Sequence, residues 1–194
     1  MNVKEAIQER RAYLSLANIE ITQDLIKDLA ISAQLAPSCL NSQPWRFIFV
    51  YGKPNIEKIL PALNRRNRIW IKNASLIIAV FSRINDDCVI KEREYYLFDT
   101  GLATGFIILR ATELGLVAHP IAGFDEEKVK HILEIPDDMK LITLVNIGKK
   151  TEEINPDLSE PQKLGEKQRP PRKELGEFIY INKYSENFRD KEAQ

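Results

Sequence analysis

Three short segments carry side chains that could bind or react, and each has a plainer structural reading beside the chemical one. The first is Arg10-Arg11-Ala12-Tyr13-Leu14. Two adjacent guanidiniums can grip a phosphate bidentately, at roughly 1.5–3 kcal/mol per charged hydrogen bond. The same pair at the end of a helix would instead complement its negative pole. The second segment runs Ala36-Pro37-Ser38-Cys39-Leu40-Asn41-Ser42-Gln43-Pro44-Trp45. Its prolines stiffen it, and Asn41 and Gln43 each offer a donor and an acceptor for the edge of a planar heterocycle. Pro, Ser and Asn are also the residues of ordinary turns. The third is His119-Pro120-Ile121-Ala122-Gly123-Phe124, where Gly123 would let backbone N–H groups approach a ligand closely. A lone histidine such as His119 is more often packed than catalytic.

Other chemistries are excluded first. Two histidines and two cysteines, with no paired spacing, argue against a structural zinc site. The phosphate-loop, dinucleotide and nucleophile-elbow fingerprints do not occur. An enzyme built on this chain would therefore take its reactive group from a bound cofactor.

The elements that must position these segments follow from periodicity. Val3, Ala6, Ile7 and Arg10 predict a short helix over 2–11. Thr22 reads as the N-cap of a second helix, which Pro37 should stop. Trp45–Tyr51 reads as a strand, Pro54–Leu63 as a helix and Ser75–Ser82 as a strand buried on both faces. The longest helix is expected over Val89–Leu114, ended at Gly115. Leu97, Gly101, Thr104, Ile108, Ala111 and Thr112 give it an apolar or small face, suited to a core or a subunit interface. A strand at Leu116–His119, a helix at Asp125–Leu133 and a strand at Leu141–Ile147 complete the compact part. Lys149–Glu174, with four prolines, reads as an extended arm. Phe178–Ile181 returns to strand composition and would need a sheet edge, one that a partner chain could supply. The whole reads as one domain of α/β or α+β type over residues 1–194, with about 149–194 as the arm.

Composition bounds the rest. The chain has 194 residues, 44% of them hydrophobic, and equal totals of 28 basic and 28 acidic side chains. Zero formal charge gives no global steering toward nucleic acid or an anionic membrane. Cys39 and Cys88 argue against a disulfide framework and fit a reducing cytoplasm. No run approaches the ~18 apolar residues of a membrane span, and the opening residues do not form a signal peptide.

Taken together and in order, these segments resemble the FMN-dependent nitroreductase family. RRAYL is similar to the family's RRSxR opening, and APSCLNSQPW to its APSSxNxQPW loop. PIAGF followed by DEEKVKHILEIPDDM is similar to its PxGGF-helix stretch, and RPPRKELGEFIYINKY to its basic C-terminal arm. The resemblance spans roughly Met1 to Tyr184. It implies an α+β fold with a central, mostly antiparallel sheet flanked by helices, in an interlocked homodimer with an extended C-terminal arm and two FMN molecules at the interface. Arg10, Arg11 and Ala12 would meet the phosphate and ribityl end. Pro37, Ser38, Cys39 and Asn41 of the opposite subunit would line the ring, with Gln43 nearby or supporting the loop. Asn67 would match an asparagine at the pyrimidine edge, Ile121, Ala122 and Gly123 would lie against the ring, and Arg172 and Lys173 would close on the phosphate. Ala12 stands where the family commonly has serine, Leu14 where it has a basic residue, and Cys39 where it has serine. The first two changes remove polar contacts to FMN.

The implied activity is a ping-pong hydride transfer from NADH or NADPH, through FMN, to a nitroaromatic, quinone or similar small-molecule acceptor. No side chain is then catalytic in the strict sense, and no metal is needed. Within the same fold, reductive dehalogenation or a biosynthetic dehydrogenation is the alternative. A third reading is a binding protein without turnover, since Arg65-Arg66-Asn67-Arg68 followed by Trp70 has the character of a nucleic-acid contact. The charge balance and the lack of any nucleic-acid motif weigh against it.

Overall fold

The structure is a computed structural model that describes residues 1–186 and 188. Along the chain lie α1 (Val3–Glu9), β1 (Leu16–Ala17), α2 (Gln23–Gln34), β2 (Arg46–Tyr51), α3 (Lys53–Ile59), α4 (Arg65–Ile71) and β3 (Leu76–Ser82). They are followed by β4 (Val89–Ile90), β5 (Arg93–Glu94), α5 (Tyr96–Glu113), β6 (Val117–Ile121), α6 (Glu126–Leu133), β7 (Lys140–Lys150) and α7 (Glu160–Lys167).

The sheet is antiparallel at every pairing, in the order β1-β7-β3-β2, with β6 also on β7. β3 sits between β2 and β7, and all seven of its residues are buried, as its unbroken apolar run predicts. Its side chains alternate between two cores. Ile77, Ala79 and Phe81 join Ile56 and Ile59 of α3, Trp70 of α4 and Val129 of α6. Leu76, Ile78 and Val80 join Leu29 and Ala33 of α2 and Ala103, Ile107 and Ala111 of α5. The sheet is thus covered by helices on both faces, each large apolar side chain contributing about 1.5–3 kcal/mol. The α+β architecture read from the sequence is the one observed.

Several boundaries differ from expectation for identifiable reasons. The long helix starts at Tyr96 and not at Val89. β-Branched Val89 and Ile90 pair with Glu94 and Arg93 across a turn in which Lys91 takes φ +59°, a backbone no helix continues through. The helix does end at Gly115, at φ +73°. The opening helix stops at Glu9, so Arg10 is its C-cap and Arg11 lies beyond it. Arg65–Ile71, which holds the basic cluster and Trp70 of the nucleic-acid reading, forms α4, and Trp70 is buried and unavailable to stack on a base. The proline-rich stretch is not simply extended, because Glu160–Lys167 folds into α7 behind a Ser159–Gln162 capping box. Among the described residues Phe178–Ile181 joins none of the sheet strands, and Tyr180 alone carries a β-bridge. The chain folds back on itself there, Ile181 donating to the Glu186 carbonyl at 2.8 Å and Phe188 to Ile179 at 2.9 Å. Positions 187 and 189–194 of the expected arm lie outside the described residues. No helix among the described residues is long and apolar enough to cross a membrane.

Candidate functional site

The first site is a nest of arginines. An Asn2–Glu5 capping box starts α1, and the chain leaves the helix at Arg10. Arg10, Arg11 and Ala12 then line a cavity of about 210 Å³ together with Arg169 and Arg172. Lys173, expected beside Arg172, is exposed and lines no part of it. Two of the guanidiniums are committed to the protein: Arg11 donates to the Gly165 carbonyl and lies 4.6 Å from the Tyr13 ring centre. Arg169 donates to the Gln8 and Arg10 carbonyls. The Arg10 guanidinium makes no hydrogen bond or ion pair among the described residues. Burial, then the charges of Arg169, Arg172 and Arg11, pull its guanidinium down from the ordinary value, the signature of a cation in want of an anion. α7 brings Arg169 and Arg172 here. Its buried Glu166 accepts the Leu14 N–H at 2.8 Å and the Ser15 N–H at 3.1 Å, stitching the helix to the chain just after the arginine pair.

The second site joins α4 to the end of β6. Asn64 caps α4, its Oδ1 accepting the Asn67 N–H at 2.8 Å, and its own N–H donates to the Gly123 carbonyl at 3.1 Å. Asn67 Nδ2 donates to the same carbonyl at 3.2 Å. The sequence-predicted Asn67 and Gly123 are therefore in contact. Room for a ligand is not why Gly123 is glycine, since a Cβ there would lie 2.0 Å from Asn64 Nδ2 and 2.7 Å from Asn67 Nδ2. With Asn64 held as a cap, Gly123→Ala is expected to destabilise the fold by about 1–3 kcal/mol, read as a lower urea midpoint; an unchanged midpoint would refute this packing. Ile121 points into the core, so only its backbone is available to a ligand, whereas Ala122 is exposed.

His119 links the two sites as a packed residue. Its ring stacks on Trp70 at 4.7 Å between centroids, and its Nδ1 lies 3.2 Å from the Tyr13 carbonyl oxygen, which makes Nδ1–H the donor. Burial lowers its pKa below the ordinary 6.5, outweighing the Tyr13 carbonyl and the Glu166 charge. The unfolded chain therefore binds the proton more readily. The contribution of neutral His119 is complete above pH 6.5 and is lost as pH falls below it toward the folded value. Urea midpoints from pH 7.5 to 5 should fall, and His119→Gln should flatten part of that slope; an identical slope in the variant would contradict the assignment.

The third site is the 37–43 loop, well tied down by its own residues. Ser38 Oγ accepts the Gln43 N–H at 3.0 Å, and Gln43 Nε2 donates to the Asn41 carbonyl at 3.3 Å, so Gln43 supports the loop. The Cys39 N–H donates to buried Asp99 of α5 at 2.6 Å. Leu40, Asn41 and Gln43 hold φ of 50°, 59° and 50° without being glycines, a strained run of the kind found at binding sites. Leu40 is 91% exposed at its crest, beside exposed Pro37 and Asn41. Cys39 is disulfide-bonded to Cys88, which overturns the expectation of two unpaired cysteines: the fold brings together residues 49 apart. Asp87, Asp99, Asn64, Glu166 and Arg169 were missed from sequence. Only Asp99, a carboxylate on an otherwise apolar helix, left a signal.

Residues 57–149 match the model of the Nitroreductase family. The chain is 28% identical over 172 residues to an inferred NADH dehydrogenase/NAD(P)H nitroreductase of Methanothermobacter thermautotrophicus, covering 84% of this chain and 86% of the relative. It is 25% identical over 171 residues to YdgI, an inferred NAD(P)H nitroreductase of Bacillus subtilis, covering 70% of this chain and 81% of the relative. A nitroreductase family protein from Clostridium novyi NT superposes with a TM-score of 0.72 at 26% identity, covering 97% of each chain. An oxidoreductase containing FMN superposes with a TM-score of 0.82 at 25% identity, covering 95% of this chain and 93% of that one. Family model, relatives across most of the chain and a shared architecture point the same way: residues 57–149 match the Nitroreductase family, and the fold is that of nitroreductase family proteins.

Proposed function

We propose that this protein is a cytoplasmic, homodimeric, FMN-dependent oxidoreductase that takes hydride from NADH or NADPH and reduces electron-poor small molecules such as nitroaromatics or quinones. The observation that carries this reading is the arginine cavity, in which a desolvated Arg10 faces three more guanidiniums with no partner of its own. The donor set fits a phosphate group, and a phosphate at the end of a cofactor is what FMN brings. An FMN-containing oxidoreductase of the same fold supports that choice.

Arg10, Arg11 and Arg172 would hold the phosphate, while Arg169 and Glu166 keep the nest assembled. Asn67, fixed through Gly123, would meet the ring edge, with Ala12 and the backbone of Ile121 and Ala122 beside it. Pro37, Ser38, Cys39 and Asn41 would come from the partner subunit, on a loop kept rigid by Gln43. Lys173 would approach from outside the cavity. Bound FMN supplies a two-electron hydride carrier. The chain's own residues bind and orient it, and no side chain is required to move a proton.

Dimerisation is supported by the open face of α5. Gly101 and Gly105 face empty space, and Leu97, Phe98 and Phe106 are exposed beside them. Val3 and Ile7 of α1 and Leu35 after α2 extend the same apolar character.

Titrating FMN into the protein tests the reading. Saturable fluorescence quenching at one FMN per chain, with a dissociation constant below about 10 µM, on a species of dimer mass is expected. A monomer that never saturates would overturn it.

A further inference from the structure

The 37–43 loop is joined to the segment that leads into the β4–β5 hairpin by the Cys39–Cys88 bond. Cys39 and Cys88 are both half-buried, neither of them enclosed in the core. A carboxylate oxygen of Asp87 lies within 4.8 Å of both sulfurs. Asp87 Oδ1 accepts the Cys88 N–H at 2.7 Å, while Oδ2 is buried with no hydrogen-bond donor. Asp99, which accepts the Cys39 N–H, lies close enough for its charge to act on the same group. Burial pushes the Asp87 carboxyl up; the Cys88 N–H opposes this, and the Asp99 charge reinforces it. The Asp87 carboxyl beside the two sulfurs therefore holds its proton more readily than an ordinary carboxylate does.

The bond also connects two unusual segments. On one side stands the strained turn at Leu40, Asn41 and Gln43, and on the other the exposed β4–β5 hairpin, whose end is closed by the Tyr95 N–H on the Cys88 carbonyl at 3.1 Å.

We propose that Cys39–Cys88 is a thiol–disulfide exchange site for dithiols, that Asp87 serves as its proton donor, and that its redox state sets how firmly the β4–β5 hairpin is held against the 37–43 loop. A thiolate of the dithiol attacks one sulfur, the Cys39–Cys88 bond breaks, and the departing thiolate takes the proton from Asp87. The second thiol of the reagent gives its proton to the Asp87 carboxylate and attacks the mixed disulfide. The remaining cysteine leaves as a thiolate and takes that proton from Asp87, which regains its own from solvent, where the first thiol had released one on becoming the attacking thiolate. Two electrons and two protons pass from the dithiol, which ends as a disulfide, to the protein, which ends with two thiols. The consequence for the flavin site rests on the function proposed above; the exchange itself does not.

The test uses the full-length protein stripped of flavin and dithiothreitol as the probe. Equilibration at graded ratios of reduced to oxidised dithiothreitol, followed by acid quench and maleimide mass-tagging, should give one reversible two-electron transition from zero to two thiols. Reduction should speed tryptic cleavage at Lys91 and Arg93 by about tenfold as the hairpin is released. Asp87→Asn should slow the approach to equilibrium at pH 7 by about tenfold while leaving two thiols at the end point. Two thiols at every ratio, or none until the chain unfolds, would overturn the proposal, and so would an exchange rate unmoved in Asp87→Asn. If that variant does not fold, the wild-type titration decides alone. FMN quenching, measured separately, keeps a failure here distinct from a failure of the flavin reading.

Discussion

Arg10→Ala is expected to weaken FMN binding by about 10- to 100-fold while leaving the dimer folded. The arithmetic follows from the site. Arg10, like Arg172, has no side-chain partner among the described residues and is the more buried of the two, while Arg11 and Arg169 already serve backbone carbonyls. Removing it costs the phosphate one or two charge-assisted hydrogen bonds at roughly 1.5–3 kcal/mol each, partly offset by relief of the repulsion from Arg169, Arg172 and Arg11. Stability should hold or rise slightly for the same reason. Fluorescence titration beside a urea curve reads both quantities, and undiminished affinity would sink the phosphate assignment.

Glu166→Ala should have the larger effect on the fold. Its carboxylate is the acceptor for two backbone N–H groups, at Leu14 and Ser15, and all three residues are at least half-buried. Deleting it leaves both donors unpaired, at a cost of about 2–5 kcal/mol, with Glu166→Gln in between because an amide can still accept one bond. Because the same contact holds α7 against the chain, FMN affinity should fall as well, although Glu166 touches no phosphate. A urea midpoint within experimental error of wild type would show that α7 is anchored by something else.

What the sequence disclosed follows the range of the forces involved. β3 was legible because a strand covered on both faces must be apolar throughout, and Thr22 because a cap acts over three residues. The arginine pair was legible because its members are adjacent. Arg169 was not, since it reaches Arg10 only through α7, although the Ser159–Gln162 spacing with Pro161 in the first turn carried that helix's start signal. The helix predicted from Val89 failed because apolar periodicity cannot distinguish a short hairpin from the first turn of a helix; Lys91 at positive φ decides it. The Cys39–Cys88 bond was invisible because it depends on where α5 and the loop come to rest.

The most direct test of the central claim is the absorbance spectrum of the FMN-reconstituted protein, recorded anaerobically before and after addition of NADH or NADPH. Visible flavin bands that bleach with a nicotinamide and return on addition of a nitroaromatic or quinone are predicted. Bands that neither nicotinamide bleaches, or a protein that takes up no flavin, would contradict the account.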